Sequence, residues 1–371
     1  MAKRVIKIVL TGGPAAGKTT LISRILKEFK QDDGWRVFTL PETATEMISG
    51  FGIKPFGNCM SMYQFQDFVI ADQLHKEKLA ERAAELVPED NILIVYDRAL
   101  MDDKAYVTDE EFAQILGHFD LTEEKVMAKY DVVLHLVSCA KGAEFAYNYG
   151  NAARTESLEA AREMDDKTLR AWQGHHNLKV IDNSVDFEKK ISRALNEIFR
   201  IAGQPVPPTT VHKYLIKMPN MDALQAQYKA VVHRMMQTYL RATVPNTERL
   251  VRQQSNADGS NVLYFYTEKR NKSQSERWET EKPITDKHYC KYMMESDTSL
   301  HSVDKMRYSI TYKDQVFDID VYPFSKSKAL MEIKVPSPDT PIELPPEISL
   351  IMDVTDNKNY KNRQLAQSQD L

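Results

Sequence analysis

The segment Gly12–Thr19 carries the residue types that bind a triphosphate. It has the pattern G-x-x-x-x-G-K-[ST] and lies between the apolar run Val5–Leu10 and a helix-like stretch. The glycines let the backbone wrap around phosphate oxygens, and the loop N–H groups and the helix N-terminus attract negative charge. Lys18 is expected to reach the β and γ phosphates, and Thr19 to ligate Mg²⁺. The predicted nucleotide-binding residues of this segment are Gly12, Gly13, Pro14, Ala15, Ala16, Gly17, Lys18, Thr19 and Thr20.

A carboxylate ends another apolar run and is a candidate second metal ligand. Asp97 closes the run from Asn91, and Arg98 follows it directly. If the run is a parallel strand beside the loop, Asp97 can complete a Mg²⁺ shell, and Arg98 can face substrate or phosphate. Asp102 and Asp103 are alternatives for the metal role. A strand-end Asp that only caps the next turn explains the same pattern.

Glu42 follows the apolar run Arg36–Leu40. Because ligands bind at the carboxyl ends of strands in an open parallel sheet, we expect Glu42 to face the phosphoryl acceptor as a base or a hydroxyl ligand. The alternative is an acid in the first turn of a helix, where the helix dipole favours negative charge.

Two further groups of polar residues are candidates for contact with the nucleotide. Arg154 or Arg162 could neutralise transition-state charge from a helix-like segment, although a surface pair such as Glu159 with Arg162 explains the charges equally well. Asp182 and Asn183 follow a short apolar run, where either a base-binding loop or an ordinary turn is expected. The predicted catalytic set is Lys18, Asp97, Glu42, Arg154 and Arg162.

The elements that must position these residues alternate up to residue 203. Short apolar runs separated by helix-length segments predict βαβ units and an α/β domain with a parallel sheet. Tyr63–Leu86 and Phe187–Ile201 have the periodicity of covering helices. The predicted strands are Val5–Leu10, Arg36–Leu40, Ile92–Tyr96, Val132–Ser138 and Leu178–Ile181.

A proline-rich stretch, residues 204–209, predicts a linker between a first domain, residues 1–203, and a second, residues 210–371. Beyond it, runs rich in β-branched and aromatic residues predict a largely antiparallel α+β domain. One helix is expected over Met221–Arg241. The predicted strands are His212–Lys217, Val262–Lys269, Met306–Tyr312, Val316–Val321 and Ala329–Val335.

Composition excludes several classes of protein. The 49 basic and 53 acidic residues give a net charge of −4, which lacks the basic excess of a DNA-binding protein. Cys59, Cys139 and Cys290 are too few and too far apart for a disulfide framework or a zinc site. No signal peptide or apolar membrane span is visible. A cytoplasmic location is therefore expected.

The first 203 residues resemble AAA-type P-loop domains of nucleoside-kinase-like architecture, as found in bacterial ATP-binding proteins and in the TRPL-translocation-defect proteins. The resemblance implies binding of ATP or GTP with Mg²⁺. It rests on Gly12–Thr19, Pro41–Thr45, Asp97–Arg98 with Asp102, Arg154 with Glu156, and Gly174–His175 with Asp182–Asn183.

The second half is similar to the CYTH domain, the triphosphate-tunnel fold of adenylyl cyclases and thiamine triphosphatases. The likeness implies a barrel in which basic side chains bind phosphates and carboxylates bind Mg²⁺ or Mn²⁺. Alternation agrees with it, since Leu263, Phe265, Thr267 and Lys269 share one face of a strand. The expected basic residues are Lys213, Arg249, Arg252, Lys269, Arg277, Lys305 and Arg307. The expected acidic residues are Glu279, Glu281, Asp318, Asp320 and Glu332.

The second half also departs from that family. The opening E-x-E-x-K corresponds to Thr209, Val211 and Lys213, and the late E-x-E reads Glu332-Ile333-Lys334. Three metal-binding carboxylates are therefore missing. Because Mg²⁺ needs hard oxygen ligands, we expect this domain to bind a phosphate-rich ligand and not to hydrolyse it.

Together these features predict a Mg²⁺-dependent ATP- or GTP-binding protein, an NTPase or a phosphotransferase, coupled to a phosphate-sensing domain. One alternative is a nucleotide-dependent switch or adaptor with negligible turnover that binds a phospholipid headgroup or polyphosphate. A small-molecule kinase is another. No N-K-x-D motif is present, so the choice between ATP and GTP stays open.

Overall fold

A computed structural model describes residues 3–57, 59–144, 147, 157–204, 210–242, 244–271, 277–335 and 340–371. The chain forms two compact units, Met1–Gln204 and Pro205–Leu371. Among the helices in these ranges, none has the length and apolar character needed to cross a bilayer.

The first unit contains a five-stranded sheet in the order β2-β3-β1-β4-β5. All neighbouring strands pair in parallel, which confirms the predicted α/β class. The strands are β1 (Arg4–Thr11), β2 (Trp35–Leu40), β3 (Asn91–Asp97), β4 (Val132–Leu136) and β5 (Leu178–Ile181). The predicted run Val132–Ser138 is two residues too long, because the chain leaves the sheet after Leu136 and turns.

Helices cover both faces of this sheet, which explains why β3 and β4 are nearly continuous apolar runs. Helices α1 and α7 pack on one face, in a core that includes Leu21, Ile25 and Ile198. The helices are α1 (Lys18–Glu28), α2 (Thr43–Glu46), α3 (Met62–Leu86), α4 (Asp109–His118), α5 (Glu123–Met127), α6 (Leu158–Ala171) and α7 (Phe187–Ile201). Short non-α helical turns cover Gln31–Asp33, Met47–Phe51 and Leu100–Tyr106.

The second unit contains a nine-stranded sheet in the order β10-β9-β8-β7-β11-β12-β13-β6-β14. Its neighbouring strands pair antiparallel, as the sequence predicts. The strands are β6 (Thr210–Lys217), β7 (Val231–Leu240), β8 (Thr247–Asn256), β9 (Leu263–Asn271), β10 (Arg277–Ile284), β11 (Val303–Tyr312), β12 (Gln315–Val321), β13 (Lys328–Val335) and β14 (Leu350–Asp353). Its helices are α8 (Met221–Tyr228), α9 (Asp286–Met293) and α10 (Asn362–Ser368).

The predicted helix Met221–Arg241 is wrong beyond Tyr228. Lys229 adopts a left-handed conformation (φ 47°), which ends α8, and the chain continues as β7. This strand begins with two valines and pairs with β8 and β11. Non-local pairing and β-branched side chains therefore favour a strand over the expected helix in this segment.

The strand register gives the sheet two different faces. One face is apolar and packs against α8, with Ile310, Phe317 and Met331 in its core. The other face carries a second apolar cluster around Leu215 and Leu330 together with the charged residues described below. The charged residues lie on this face because side chains alternate between the two faces along each strand. Residues directly opposite one another on antiparallel strands share a face.

Candidate functional site

The phosphate-binding loop runs from the end of β1 into α1, as its motif requires. Gly12 has φ 131°, and a Cβ atom at this position would lie 2.0 Å from the carbonyl oxygen of Leu136. Gly17 has φ 100° and immediately precedes α1. Both positions favour glycine because their φ angles are positive, which strains any residue with a side chain. At Gly12 a side chain would also clash with the neighbouring strand.

Lys18 lies among charged groups from the carboxyl ends of two other strands. Burial and the Arg98 guanidinium lower the pKa of its ammonium group, while Asp97, Glu42 and Asp102 oppose that change. The fold thus brings the loop lysine together with the predicted residues Asp97 and Glu42. Thr19 and Thr20, in the first turn of α1, are exposed.

Asp97 has the features of a metal ligand. Its Oδ1 atom is buried and has no hydrogen-bond partner among the described residues. Burial raises the pKa of this carboxyl, which the Lys18 charge counteracts. Within the described ranges, no cluster of three or more His, Cys, Asp or Glu side chains could hold a metal. The Thr19 hydroxyl and Asp97 fit Mg²⁺, which usually takes one or two protein ligands together with phosphate oxygens and water.

Arg98 links the two neighbouring strand ends. Its Nε atom lies 2.8 Å from Glu42 Oε1, and its Nη1 atom lies 3.3 Å from Asp102 Oδ1. The residue itself is in a left-handed conformation, with φ 66°. Such backbone strain in a residue with a large side chain is concentrated at functional sites.

Asp102 holds the turn that follows β3. Its Oδ2 atom accepts hydrogen bonds from the Ala99 N–H (3.0 Å) and from Trp172 Nε1 (3.1 Å). Its Oδ1 atom accepts a hydrogen bond from the Thr11 hydroxyl. Both oxygens are therefore engaged with protein donors, which favours Asp97 over Asp102 as the free ligand. Asp103 is also buried, and burial together with Asp102 raises the pKa of its carboxyl well above the usual value.

Asp165 supports the loop from behind, a role that the sequence did not reveal. It lies on α6, is fully buried, and accepts hydrogen bonds at Oδ1 from the N–H groups of Gly13 (2.7 Å) and Ser138 (2.9 Å). Burial raises the pKa of this carboxyl, but His135 and Lys141 more than offset that effect and hold it below its usual range. The available signal was its spacing, four residues from both Ala161 and Leu169 on the buried side of α6.

The other predicted contacts of the first unit have protein partners. Arg162 donates from Nε to the Ala140 carbonyl (2.6 Å) and from Nη2 to Glu144 (2.8 Å). Asp182 pairs with Arg193 at 3.2 Å. None of these contacts brings Arg162 or Asp182 to Lys18. Arg154 lies outside the described residues.

Asn183 holds the turn after β4. Its Nδ2 atom donates to the carbonyl oxygens of Ser138 (2.8 Å) and Lys141 (2.7 Å), and its Oδ1 atom accepts from Lys190 Nζ (2.7 Å). The buried Lys190 also donates to the Val137 carbonyl at 2.6 Å. The side chain of Asn183 therefore supports a neighbouring loop.

In the second unit, predicted basic and acidic residues meet on one face of the antiparallel sheet. Arg307 lies within 2.7 Å of Asp320 and 3.1 Å of Asp318, and Lys305 Nζ lies 2.5 Å from Asp320. Lys213 Nζ lies 2.6 Å from Glu332. We call these six residues the ionic cluster: Lys213, Lys305, Arg307, Asp318, Asp320 and Glu332.

The ionic cluster is internally balanced, with three cationic and three carboxylate side chains. Lys213 and Arg307 hold the pKa of Glu332 well below its usual range, although burial opposes them. Burial lowers the pKa of Lys305 to about 8, with Asp320 opposing the change. Each carboxylate of the cluster is thus already paired with a cation of the same chain.

Two more predicted residues lie near the same face. Arg252 Nη2 lies 2.9 Å from Glu281 Oε1, and its guanidinium stacks on the Phe265 ring at 4.7 Å. Lys269 lies on β9 two residues beyond Thr267, which donates to Glu281 at 3.0 Å. The side chains of Arg277 and Glu279 lie outside the described part of β10.

Arg249 was predicted to share this face, and that prediction is wrong. The register pairs Leu250 with Tyr239 and Arg252 with Gln237, so Arg249 points to the opposite side of β8. There it lies 2.9 Å from Glu295 and donates to the Tyr266 hydroxyl at 3.0 Å. Arg249 and Arg252 are three residues apart, and residues of a strand share a face only when their positions differ by an even number.

Comparison with known proteins supports the description of the first unit. Residues 7–190 match a family model described as an AAA domain. A search of curated proteins found no match. The first unit therefore has the parallel sheet and the loop of a P-loop nucleotide-binding domain and is similar to AAA domains, and the second unit is a separate antiparallel-sheet domain.

Similar solved structures were also found. The inorganic triphosphatase NE1496 is 26% identical, with 44% of this chain and 97% of that chain covered and a TM-score of 0.32. A thymidylate kinase from Ehrlichia chaffeensis is 14% identical, with 53% and 99% covered and a TM-score of 0.36. A putative adenylyl cyclase from Hippeastrum, described as having a dominant triphosphatase activity, is 10% identical, with 35% and 81% covered and a TM-score of 0.26.

Proposed function

We propose that the first unit is a Mg²⁺-dependent enzyme that binds ATP or GTP and transfers or cleaves the γ-phosphoryl group. The observation that carries this proposal is the meeting of Lys18, Asp97, Glu42 and Arg98 at the carboxyl edge of the parallel sheet, beside a phosphate-binding loop. Positioning and electrostatic stabilisation supply nearly all the catalysis in phosphoryl transfer, so a site that combines two cations with carboxylates able to hold a metal suits the reaction.

Each residue has a distinct role in this proposal. The loop N–H groups and Lys18 bind the phosphates, and Thr19 and Asp97 hold the metal. Bound Mg²⁺ supplies charge neutralisation on the phosphate oxygens. Arg98 stabilises the charge on the transferred group, and Glu42 orients the acceptor hydroxyl or water. Arg162 is a further candidate for transition-state charge only if it leaves Glu144 when nucleotide binds.

We also propose that the second unit binds a phosphate-rich ligand. In this proposal a P-loop domain is followed by a phosphate-binding domain, as in the TRPL-translocation-defect proteins. Support comes from the ionic cluster together with Arg252, since buried Arg and Lys side chains bind phosphate through charge-assisted hydrogen bonds. Because the carboxylates of the cluster are paired internally, a ligand must exchange partners with them. Binding without hydrolysis is consistent with that requirement.

The test compares nucleotide binding and turnover in two lysine variants of the full chain. Lys18→Ala is expected to weaken ATP and GTP binding at least about tenfold and to abolish product formation. Lys27→Ala, an exposed position in the last turn of the same helix, serves as the control. Equal affinity and turnover in the two variants would refute the proposal.

A metal titration and a product analysis complete the test. Asp97→Asn is expected to raise the Mg²⁺ concentration needed for half-maximal turnover, whereas the exposed Asp32→Asn leaves it unchanged. Mass spectrometry of products distinguishes released phosphate from a phosphorylated acceptor, and so separates an NTPase from a kinase. Nucleotide binding without either product would identify the switch.

A further inference from the structure

Helix α6 is joined to the phosphate-binding loop through one buried carboxylate. Asp165 Oδ1 accepts from the backbone N–H groups of Gly13 and of Ser138, at 2.7 and 2.9 Å. A Cβ atom at Gly13 would lie 2.8 Å from the Cβ atom of Asp165, so the helix and the loop are in close contact. The loop thus contacts a group that lies 152 residues away in the chain.

The contact between α6 and the loop also includes the turn that follows β4. The Ser138 hydroxyl donates to the Pro14 carbonyl at 2.5 Å. The turn after β4 therefore binds the loop at Pro14, one residue beyond Gly13, which Asp165 binds. Asn183 fixes this turn from the side of β5, through the Ser138 and Lys141 carbonyls. Asp165 therefore connects two segments whose backbone directions decide where the loop N–H groups point.

The charge of Asp165 is partly offset by neighbouring groups. Lys141 Nζ lies 3.0 Å from its Oδ2 atom and 2.8 Å from Asp166 Oδ1, and His135 Nε2 lies 3.4 Å from Asp165 Oδ1. An uncompensated carboxylate behind a triphosphate site would repel the ligand. With part of its charge offset, the side chain acts mainly as a double hydrogen-bond acceptor for two buried backbone donors, which are costly to leave without partners.

We infer that Asp165 is a positioning residue that holds the phosphate-binding loop in the conformation that binds the triphosphate. The inference depends on the proposed nucleotide binding by the first unit, but it concerns a residue that does not touch the ligand. It follows that packing of α6 and nucleotide affinity are coupled through this carboxylate.

The test compares three substitutions on α6 in the full chain. Asp165→Ala removes the acceptor, Asp165→Asn retains an acceptor oxygen without the charge, and Leu169→Ala removes packing from the same helix without touching the loop. Leu169 is fully buried, so its truncation provides a matched loss of thermal stability. Nucleotide dissociation constants and melting temperatures are measured for all three.

We expect Asp165→Ala to raise the nucleotide dissociation constant at least about tenfold more than Leu169→Ala does at a similar melting temperature. Asp165→Asn is expected to restore affinity to within about threefold of the original protein. Equal affinities in Asp165→Ala and Leu169→Ala, or failure of Asp165→Asn to restore binding, would overturn the inference.

Ser138→Ala keeps the result interpretable if Asp165→Ala does not fold. This change removes only the hydroxyl that donates to Pro14, and it is expected to weaken nucleotide binding about three- to tenfold. Unchanged affinity in Ser138→Ala would count against the inference. Failure of the proposed function looks different, because then the unmodified chain binds no nucleotide and Lys18→Ala has no effect.

Discussion

Arg98 and Glu42 form an ion pair, with Nε and Oε1 2.8 Å apart, that joins the carboxyl ends of β3 and β2 beside Lys18. Burial raises the pKa of Glu42, but Arg98 and Lys18 outweigh that effect and the pKa is lowered overall. A carboxylate with a lowered pKa is charged at neutral pH and is a weak base. Glu42 is therefore better suited to orienting an acceptor hydroxyl than to removing its proton early.

This arrangement predicts that Glu42→Gln lowers turnover more than it lowers nucleotide affinity. The amide keeps the size of the side chain but loses the negative charge. That charge holds Arg98 and strengthens the hydrogen bond from the hydroxyl of the phosphoryl acceptor. We expect kcat to fall by roughly 100-fold or more, with KM for nucleotide changed by only a few-fold. Steady-state kinetics check both values.

Glu46→Gln is the matched control for that prediction. Glu46 ends α2, which begins directly after Glu42, and it also pairs with a cation, Lys76, at 2.5 Å. Neither Glu46 nor Lys76 is among the charged groups with the largest effects on the pKa of Lys18. If both variants lose turnover equally, the Glu42 effect reflects the stability of α2 and the assigned role is wrong.

Gly12 and Gly34 allow the energetic cost of a steric clash to be measured separately from the cost of backbone strain. Gly12 and Gly34 both have positive φ, at 131° and 76°, but only Gly12 has a neighbour within reach of an added Cβ. Gly34→Ala should therefore cost only the strain of a left-handed alanine, about 1 to 2 kcal/mol in the free energy of unfolding. Gly12→Ala should cost about 3 kcal/mol or more, since the Leu136 carbonyl cannot move without disturbing β4.

Urea denaturation of both variants, followed by nucleotide binding at low denaturant, measures this difference. Gly12→Ala should also lose nucleotide binding, because the shift needed to relieve the clash reorients the loop. Similar losses of stability in the two variants would show that the close approach of Gly12 to Leu136 has no energetic consequence.

The meeting of Lys18, Asp97 and Glu42 could be predicted because its evidence is local. Gly12–Thr19 is contiguous, Asp97 ends β3 and Glu42 lies two residues beyond β2, so rules for parallel sheets were enough to place these residues near one another. Asp165 was missed as a partner of the loop because no local pattern relates it to Gly13. Its role depends on where α6 packs, which is a property of the tertiary structure.

The second unit shows the opposite case, in which local patterns were misleading. A helix was expected over Met221–Arg241, yet the pairing of β7 between β8 and β11 decides the conformation after Lys229. Arg249 and Arg252 were both placed in the tunnel by the resemblance to the CYTH domain, but a spacing of three puts them on opposite faces of β8. Composition predicted β6, β9, β11, β12 and β13 but not β7, and it predicted neither strand partners nor register.

The ionic cluster should contribute to stability through Arg307 in particular. This guanidinium contacts Asp318, Asp320 and Glu332, so Arg307→Met leaves the three carboxylates of the cluster with two cations, Lys213 and Lys305. Breaking a buried charge network by removing one partner costs about 3 to 5 kcal/mol. We expect a corresponding loss in the free energy of unfolding, measured by urea denaturation.

Arg234→Met is the control, because Arg234 pairs with Asp304 at an exposed position, with 57% of its side chain accessible. An exposed pair contributes at most about 1 kcal/mol. A small effect of Arg307→Met, similar to that of Arg234→Met, would mean that the cluster is hydrated and that its charges are available to ligands at low cost.

Lys190 should give the first unit a characteristic dependence of stability on pH. Burial lowers the pKa of its ammonium group to about 8, and its direct partners, Val137 and Asn183, are uncharged acceptors. The unfolded lysine, with a pKa near 10.5, binds more protons than the folded one between those two values. The free energy of unfolding should therefore rise with pH from about 8 to about 10.5 and be independent of this group below about 7.

The comparison that isolates this effect uses Lys190→Met and the exposed neighbour Lys189→Met. Between pH 7 and pH 10, the original protein and Lys189→Met should gain up to about 3 kcal/mol relative to Lys190→Met, since one pKa unit corresponds to about 1.4 kcal/mol. Urea denaturation at a series of pH values measures the difference. Parallel pH profiles for all three proteins would show that Lys190 keeps its proton when folded, held by the carbonyl of Val137 and the amide oxygen of Asn183.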